Sequence, residues 1–236
     1  MAPLVYTLLD LRSRLADAKD ALLPGEFAKL YRQVRPYTMC SRARLRGLHD
    51  AVQYALDHGI PGDIVECGAA RGGSAALMGL MLTNEPHRTL WLFDTFEGLP
   101  PPTTDDPDYE LAQAFVGTFR ADLAEVVELL KRLNLAERTR LIKGLFQDTV
   151  PVSPVRAIAV LHLDGDWYQS VKVCLDHLYD RVSPGGVVQI DDYGHWAGAR
   201  KAVDEFFARR GLRLGMKYLD YTGRQLIKPA DHERAG

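Results

Sequence analysis

The first sixty residues carry apolar side chains at helical spacing. One such stretch runs from Tyr6 to about Asp20, and a second runs from Glu26 to about Val34. After Pro36, Ser41 can cap a longer helix that ends at His58-Gly59. The apolar face of that helix consists of Leu45, Leu48, Val52 and Leu56. The pattern predicts a helical cap, which can also serve as a lid, over residues 1–60.

From Asp63 onwards, short apolar runs alternate with helical stretches. The predicted strands are, in order, DIVEC, TLWLFD, RTRLIKG, AIAVLHLD, GGVVQID, LRLGMKYL and TGRQLIK. Helical stretches lie at about 74–82, 121–133, 170–179 and 198–209. Such alternation is typical of a doubly wound sheet with helices on both faces. We predict an α/β fold with a Rossmann-like, seven-stranded, mostly parallel sheet, in which the last two runs form an antiparallel edge hairpin.

One connection is longer than the fold needs. The segment from Glu97 to Gly117 contains three consecutive prolines and a cluster of acidic residues. Structureless loops of this length are usually functional or disordered, and we predict a lid over the site. The whole chain, 1–236, is expected to be a single domain with a core over residues 61–236.

The composition narrows the class of partner. Of 236 residues, 47% are hydrophobic and 25% charged, as in ordinary globular proteins. The 29 Lys and Arg nearly balance the 31 Asp and Glu, so no strong field draws the chain to nucleic acid or to a membrane. A small molecule or another protein is the expected partner. The chain has three cysteines and no CxxC pair, which predicts that the cysteines are reduced. It shows neither a signal-peptide core nor an apolar run of membrane length, which predicts a soluble, cytoplasmic protein.

The candidate chemistry lies where the predicted parallel strands end. In open parallel sheets, ligands bind outside the carboxyl ends of the strands. In this chain those ends are acidic: Glu66, Asp94, Asp164, Asp191 and Asp192. The edge is therefore expected to attract a cationic ligand or a metal ion.

The glycine-rich turn GAARGG follows the first strand and precedes a helix. Glycines at such a turn let the backbone approach a ligand closely. An acid directly before the turn, Glu66, suits an ammonium or sulfonium group better than a pyrophosphate. Asp94, which lies 26 residues after Gly68, can accept both hydroxyls of a ribose. The alternatives are a plain packing turn and, for Asp94, a helix cap.

The motifs LDGDWY and QIDDYGHW place carboxylates at the ends of two neighbouring strands. Two unit charges about 4 Å apart repel by about 4 kcal/mol at an effective dielectric near 20, so a proton or a cation must balance the cluster. Oxygen ligands select a hard dication, Mg²⁺ or Ca²⁺. The predicted ligands are Asp164, Asp191 and Asp192. The alternative is that these residues cap a helix and make turn hydrogen bonds.

The motifs VECGAARGGSA, LFDTFEGLP, KGLFQDTVP, LHLDGDWYQS and SPGGVVQIDDYG, with PYTM upstream, resemble the macrocin O-methyltransferase family. The resemblance covers roughly Tyr37 to Lys228. It implies a class I, S-adenosylmethionine-dependent enzyme of natural-product biosynthesis. Many members methylate a sugar hydroxyl in the presence of Mg²⁺, so the implied acceptor is a small hydroxylated molecule.

The same resemblance implies the cofactor contacts. From the methionine part to the adenine, the implied residues are Glu66, Gly68, Ala70, Ser74, Asp164, Asp94, Phe96, Gln147 and Asp148. The PYTM segment would bring Tyr37, Thr38 and Met39 over the cofactor, although an ordinary loop before a helix accounts for these residues equally well.

The implied reaction is an in-line attack of a substrate oxygen on the sulfonium methyl group, which needs a base. Related catechol-type enzymes carry a Lys or His three residues after the first metal-binding Asp, but this chain has Trp167 there. Asp164 is the first candidate for the catalytic base, and His195 is the second. His162, on a predicted strand, is expected to be a core residue. Two alternatives stay open: an NAD-dependent oxidoreductase, and a non-catalytic relative that keeps the cofactor fold.

Three further expectations concern surfaces. The aromatic residues Trp167, Tyr168, Tyr193 and Trp196 are expected either to form an apolar acceptor wall or to pack as core. Arg42, Arg44 and Arg46 are expected to form a solvated helix face or to reach a carboxylate. The N-terminal helices have enough apolar surface for a homodimer interface, and the family is often dimeric.

Overall fold

The computed structural model describes residues 25–212 and 215–229. Its helices are α1 (Glu26–Val34), α2 (Arg42–Asp57), α3 (Gly73–Leu80), α4 (Tyr109–Gln113), α5 (Leu123–Arg132), α6 (Phe146–Thr149), α7 (Tyr168–Leu178) and α8 (Ala197–Arg209). Its strands are β1 (Asp63–Cys67), β2 (Leu90–Asp94), β3 (Thr139–Lys143), β4 (Ile158–Leu163), β5 (Val182–Ile190), β6 (Lys217–Tyr218) and β7 (Arg224–Ile227). The first predicted helix, from Tyr6 to Asp20, lies outside the described residues.

Within the described ranges, the strands form one seven-stranded sheet in the order β3-β2-β1-β4-β5-β7-β6. Strands β1 to β5 run parallel, whereas β7 pairs antiparallel with both β5 and β6. The predicted Rossmann-like sheet with an antiparallel edge hairpin is confirmed. The strand order reverses between β1 and β4, which is where a crevice opens at the carboxyl ends of the strands.

The core lies on both faces of the sheet. All six residues of β4 are buried, as expected for a central strand covered by helices on both sides. One cluster packs α1, α2 and α3 on the sheet through residues such as Leu45 and Met78. The other packs α7 and α8 through residues such as Cys174 and Phe206. Each fully buried large apolar side chain stabilises the fold by about 1.5–3 kcal/mol, and these two layers hold the strand ends in place.

Helix α2 begins and ends as the sequence predicts. The Ser41 side chain accepts a hydrogen bond from the backbone N–H of Arg44 at 3.2 Å, which caps the first turn. The helix stops at His58, followed by Gly59 with a φ of 59°. This fixes the direction in which the chain enters β1.

The predicted strand LRLGMKYL is shorter in the structure. Of its described residues, only Lys217 and Tyr218 are paired, and both are exposed. They pair with β7 alone, because β6 is the edge of the sheet. Gly215, two residues earlier, has no side chain to pack on a neighbour, which weakens a strand. The prediction of a full-length edge strand was therefore too long.

The long connection between β2 and α5 is attached to two other helices. It contains α4, and two of its acids accept hydrogen bonds from helix N-termini. Asp106 accepts from the backbone N–H of Tyr168 at 2.6 Å, and Asp108 accepts from that of Ala197 at 3.0 Å. These contacts hold the loop over the carboxyl edge of the sheet. None of the described helices is both long and apolar enough to cross a membrane.

Candidate active site

A cavity of about 230 Å³ opens at the carboxyl edge of the parallel strands. The register of the sheet aligns Cys67, Leu163 and Ile190, so the residues that follow them meet at this edge. The lining residues come from the segment before α2, the glycine turn, the long loop, the ends of β2, β4 and β5, and the β6–β7 turn. They are Tyr37, Thr38, Met39, Cys40, Arg44, Gly68, Ala69, Ala70, Ser74, Asp94, Leu99, Phe115, Phe119, Asp164, Asp166, Asp192, His195, Trp196, Tyr221 and Thr222.

Gly68 shows why the turn after β1 needs glycine. Its φ is 95°, in the left-handed region, and a Cβ atom there would lie 1.8 Å from the carbonyl oxygen of Asp164. The backbone N–H of Asp164 donates to the carbonyl of Cys67 at 2.8 Å, which continues the β1–β4 pairing. The turn therefore brings the glycine backbone and the first acidic strand end together.

The Asp94 carboxylate holds the same turn from the end of β2. It accepts hydrogen bonds from the backbone N–H groups of Ala69 at 2.7 Å, Ala70 at 2.9 Å and Phe96 at 2.6 Å. The hydroxyl of Thr95 lies 3.5 Å from Asp94 but donates to the closer carbonyl of Gly98 at 2.8 Å. Because a carboxylate has about four acceptor positions, Asp94 can still accept a bond from a ligand. It lines the cavity, together with the predicted residues Gly68, Ala70 and Ser74. The alternative of a helix cap does not describe its contacts.

A smaller pocket of about 50 Å³ adjoins the cavity and shares Gly68, Asp94 and Asp164 with it. Gln147 lines this pocket, as expected for a residue beside an adenine. Asp148 is exposed and is not among the lining residues. Phe96 is 3% exposed and packs in the core below the pocket. The other lining residues are Thr95, Gly98, Leu99, Pro100, Leu145, Phe146, Gly165 and Ser170.

Glu66 lies beneath the cavity and is fully buried. Its carboxylate accepts a hydrogen bond from Nδ1 of His162 at 2.8 Å, and Nε2 of His162 lies 3.3 Å from Oδ1 of Asp191. Burial alone would lower the pKa of His162, but its hydrogen bonds to Asp191 and Glu66 raise that pKa to about 9. His162 is fully buried between two acids, in agreement with the expectation of a core residue. A direct cofactor contact of Glu66, which does not line the cavity among the described residues, stays a prediction.

Asp191 is fully buried and forms an ion pair with the guanidinium group of Arg44. Burial alone would raise the pKa of Asp191, but the charges of Arg44 and His162 hold it below its ordinary value. Nε of Arg44 also lies 3.2 Å from Oδ2 of Asp220. The arginines of α2 were expected either to form a solvated helix face or to reach a carboxylate, and Arg44 reaches a carboxylate.

Acidic groups crowd the centre of the cavity. Oxygens of Asp164, Asp166 and Asp192 lie within 4.8 Å of one another, and Asp164 and Asp191 come equally close in a second group with Cys40 and His162. The two groups share Asp164, but Asp191 and Asp192 fall in different groups, and Asp191 is not among the residues that line the cavity. The three-carboxylate metal site therefore stays a prediction. Asp166, the second acid of DGD, is a further member of the cluster that the sequence analysis did not single out.

The cluster carries more negative charge than its surroundings balance. Burial and the charges of Asp191 and Asp192 raise the pKa of Asp164 well above its ordinary value. Burial and the charge of Asp191 likewise raise the pKa of Asp192 to about 6. The converging carboxylate oxygens, buried at Asp192 and half-buried at Asp164 and Asp166, fit a hard dication such as Mg²⁺, which would restore the ionised state of these groups.

His195 is exposed and follows β5, which β4 separates from β1 and its glycine turn. Its Nδ1 is 3.2 Å from the hydroxyl oxygen of Tyr221. Burial and the Arg44 charge lower the pKa of His195 below its ordinary value of 6.5, so the ring is neutral at neutral pH. Its ring meets that of Trp196 edge-on, with centroids 4.8 Å apart.

The aromatic residues divide between the two expected roles. Trp196 lines the cavity, and its Nε1 donates to Asp166 at 2.8 Å. Trp167 is core, and its Nε1 donates to the carbonyl of Pro100 at 2.7 Å. The hydroxyls of Tyr168 and Tyr193 donate to carboxylates on α8 and away from the cavity. Phe115 and Phe119 also line the cavity, beside Trp196.

The described chain matches one family of proteins with this architecture. The model of the family described as macrocin-O-methyltransferase (TylF) matches residues 31–227. The chain belongs to this family. The methyltransferase prediction is thereby confirmed: the protein is an S-adenosylmethionine-dependent O-methyltransferase.

Relatives within the family support this assignment. An 8-demethyl-8-(2,3-dimethoxy-alpha-L-rhamnosyl)-tetracenomycin-C 4'-O-methyltransferase of Streptomyces olivaceus is 37% identical over 79% of this chain and 74% of its own length. A mycinamicin III 3''-O-methyltransferase of Micromonospora griseorubida is 35% identical over 79% of this chain and 76% of its own length. The solved structure of the O-methyltransferase NovP is 32% identical, has a TM-score of 0.76, and covers 82% of this chain and 83% of its own.

Proposed function

We propose that this protein transfers the methyl group of S-adenosylmethionine to a hydroxyl group of a sugar on a natural-product intermediate, with the help of Mg²⁺. The observation that carries the proposal is the meeting of the glycine turn and the acidic cluster in one cavity. The names of three relatives specify an acceptor, and these acceptors are a rhamnosyl-tetracenomycin, mycinamicin III and demethyldecarbamoylnovobiocin. Their similarity to this chain supports a glycosylated acceptor.

The cofactor is proposed to lie along the glycine turn. The backbone at Gly68 and Ala70 and the side chain of Ser74 would surround its methionine part, and Asp94 would accept from its ribose hydroxyls. Gln147 would lie beside the adenine, in the smaller pocket. Thr38 and Met39 also line the cavity, with Thr38 packed against the backbone of Gly73, and they would cover the cofactor. The other three predicted cofactor residues, Phe96, Asp148 and Glu66, do not line the pockets and would support the cofactor site from behind the lining residues.

The metal is proposed to be held by Asp164, Asp191 and Asp192. Asp164 and Asp192 line the cavity together with Asp166, and Asp191 lies beside Asp164 behind that wall. When bound, Mg²⁺ would stabilise negative charge that develops on the acceptor oxygen. The ion pair of Asp191 with Arg44 and its contact with His162 fix the direction of that carboxylate. The protein thus prepares the ligands by orienting them through neighbours rather than through solvent.

Of the two candidate bases, the geometry favours His195. Asp164 is crowded by three carboxylates and would be engaged as a metal ligand. His195 is a neutral ring in the cavity wall and can accept the proton of the acceptor hydroxyl. The aromatic residues Trp196, Phe115 and Phe119 offer flat apolar surfaces on which a sugar ring can pack.

The experiment is a methyl-transfer assay with three acceptors: the rhamnosyl-tetracenomycin, mycinamicin III and demethyldecarbamoylnovobiocin. We expect a methylated product and S-adenosylhomocysteine from at least one of them. Removal of divalent ions with EDTA should lower turnover at least ~100-fold, and added Mg²⁺ should restore it. Full turnover in EDTA would exclude the metal role. Failure of all three acceptors, in protein that binds S-adenosylhomocysteine, would exclude the sugar acceptor as proposed.

Two further expectations from the sequence remain part of the proposal. They are a homodimer and a location in the cytoplasm. Light scattering coupled to size-exclusion chromatography measures the first directly. A monomer at micromolar concentration would contradict it.

A further inference from the structure

The turn of the β6–β7 hairpin reaches the cavity wall. Tyr221 and Thr222 of this turn line the cavity next to His195 and Trp196. The proposed cofactor site lies along the glycine turn and Asp94, at the ends of β1 and β2. The hairpin therefore lines the part of the cavity that is left for the acceptor. The function proposed above assigns no role to the hairpin.

The backbone of this turn is held by Asp220. One carboxylate oxygen of Asp220 accepts from the backbone N–H groups of Thr222 at 3.0 Å and Gly223 at 2.7 Å. The other oxygen accepts from the hydroxyl of Ser41 at 2.5 Å and lies 3.2 Å from Nε of Arg44. The turn is therefore tied to the beginning of α2, which itself borders the cavity.

The same turn packs directly on the loop that carries His195. The backbone N–H of Gly194 donates to the carbonyl of Thr222 at 2.8 Å, and the hydroxyl of Thr222 donates to the carbonyl of Asp191. A Cβ atom on Gly194 would lie 1.9 Å from the carbonyl oxygen of Tyr221. Backbone contacts on both sides thus set the separation between Tyr221 and His195.

The two side chains meet at the cavity. The hydroxyl oxygen of Tyr221 is 3.2 Å from Nδ1 of His195, and the rings stand at 85° with centroids 5.8 Å apart. Trp196 holds the His195 ring from another direction. With Nδ1 engaged, Nε2 is the ring nitrogen that is left for an acceptor hydroxyl.

We propose that Tyr221 is a positioning residue that holds His195 in the orientation needed to deprotonate the acceptor. This inference rests on the proposed function. Nδ1–H of His195 donates to the Tyr221 oxygen, and Nε2 presents its lone pair to the acceptor. The acceptor O–H bond breaks as its proton moves to Nε2. The oxygen forms a bond to the methyl carbon as the S–CH₃ bond breaks, leaving S-adenosylhomocysteine and a protonated His195.

The test compares Tyr221→Phe with Tyr218→Phe. Tyr218 is in the same hairpin and highly exposed, but it does not line the cavity, so its variant controls for loss of a phenol hydroxyl. With mycinamicin III as acceptor, Tyr221→Phe should lower kcat about 10-fold, while the KM for S-adenosylmethionine and the Kd for S-adenosylhomocysteine change less than about 2-fold. Tyr218→Phe should leave all three constants unchanged. An unchanged kcat in Tyr221→Phe would overturn the proposal.

A second measurement does not depend on turnover. Long-range ¹H–¹⁵N NMR reports the tautomer of each histidine, and the signals missing from His195→Gln identify those of His195. We expect Tyr221→Phe to lower the fraction of His195 that carries its proton on Nδ1, and Tyr218→Phe to leave it unchanged. Unchanged His195 signals in Tyr221→Phe would overturn the proposal even if turnover fell. A wild-type protein inactive on every acceptor would instead remove the proposed function, and the NMR comparison would still decide the pairing.

Discussion

Single residues of this site hold the backbone and also line the cavity. Asp94 accepts three backbone N–H groups of the turns around it and also lines both pockets. A charge that satisfies several backbone donors keeps the turn in one conformation before any ligand arrives. Preorganisation of this kind lowers the entropic cost of binding. The ribose-binding role and the alternative of a purely structural role are therefore not exclusive for this residue.

Asp94→Asn tests this dual role. The amide has one acceptor oxygen and no charge, so the charge-assisted hydrogen bonds weaken by about 1.5–3 kcal/mol. We expect the affinity for S-adenosylhomocysteine, measured by calorimetry, to fall about 10- to 100-fold. The matched control is Asp63→Asn at the opposite edge of the sheet, where the carboxylate accepts from Thr89 and Trp91. The control should keep the wild-type affinity, and equal losses in both variants would contradict the assignment.

At the scale of elements, the long loop after β2 is held by helices distant in sequence. Asp106 and Asp108 of this loop accept hydrogen bonds at the N-termini of α7 and α8. Their donors are backbone N–H groups that have no partner within the helix itself. Composition alone predicts a long acidic loop but not these caps. The hydrogen-bond partners of these two carboxylates are in place only when α7 and α8 are already packed together. The caps anchor the segment whose Leu99 and Phe115 face the cavity.

Asp106→Ala should therefore destabilise more than loss of an ordinary cap. Its buried carboxylate also accepts from the backbone N–H of Thr103 at 2.9 Å and from the hydroxyl of Thr103 at 3.4 Å, so three donors lose their partner. We expect urea unfolding to show a loss of about 2–4 kcal/mol. Asp122→Ala removes the local cap of α5 and should cost about 1 kcal/mol.

Hydrogen exchange separates the two variants further. Amides of residues 97–117 should exchange faster in Asp106→Ala and at the wild-type rate in Asp122→Ala. Unaltered exchange of the loop in both variants would show that Asp106 does not anchor it.

At the scale of the whole molecule, the segment after β7 is hydrogen-bonded to the middle of the chain. Lys228, which follows β7, is buried, and its Nζ donates to the carbonyls of Tyr179, Asp180 and Val182 at 3.1, 3.2 and 2.6 Å. These carbonyls lie between α7 and β5. The C-terminal hairpin is thus joined to the centre of the chain at one end and to the active site at its turn.

Lys228→Met tests this attachment. The variant keeps the apolar stem but leaves three carbonyls without their charged donor, so we expect a loss of about 2–4 kcal/mol in unfolding free energy. Lys172→Met removes a partly exposed ion pair with Asp176 on α7 and should cost less than about 1 kcal/mol. Denaturant titrations measure both. A loss in Lys228→Met no larger than that of the control would refute the role in this attachment.

The sequence alone determined the sheet, the order of its elements and the set of acidic strand ends. Apolar periodicity and glycine-rich turns are local properties, and parallel strands necessarily bring their carboxyl ends to one edge. Only the tertiary structure decided where each carboxylate points. Asp191 turns to Arg44 and His162, Asp166 joins Asp164 and Asp192, and Tyr221 meets His195. Those partners are far apart along the chain, and packing of the helices and the hairpin, which no local pattern encodes, brings them together.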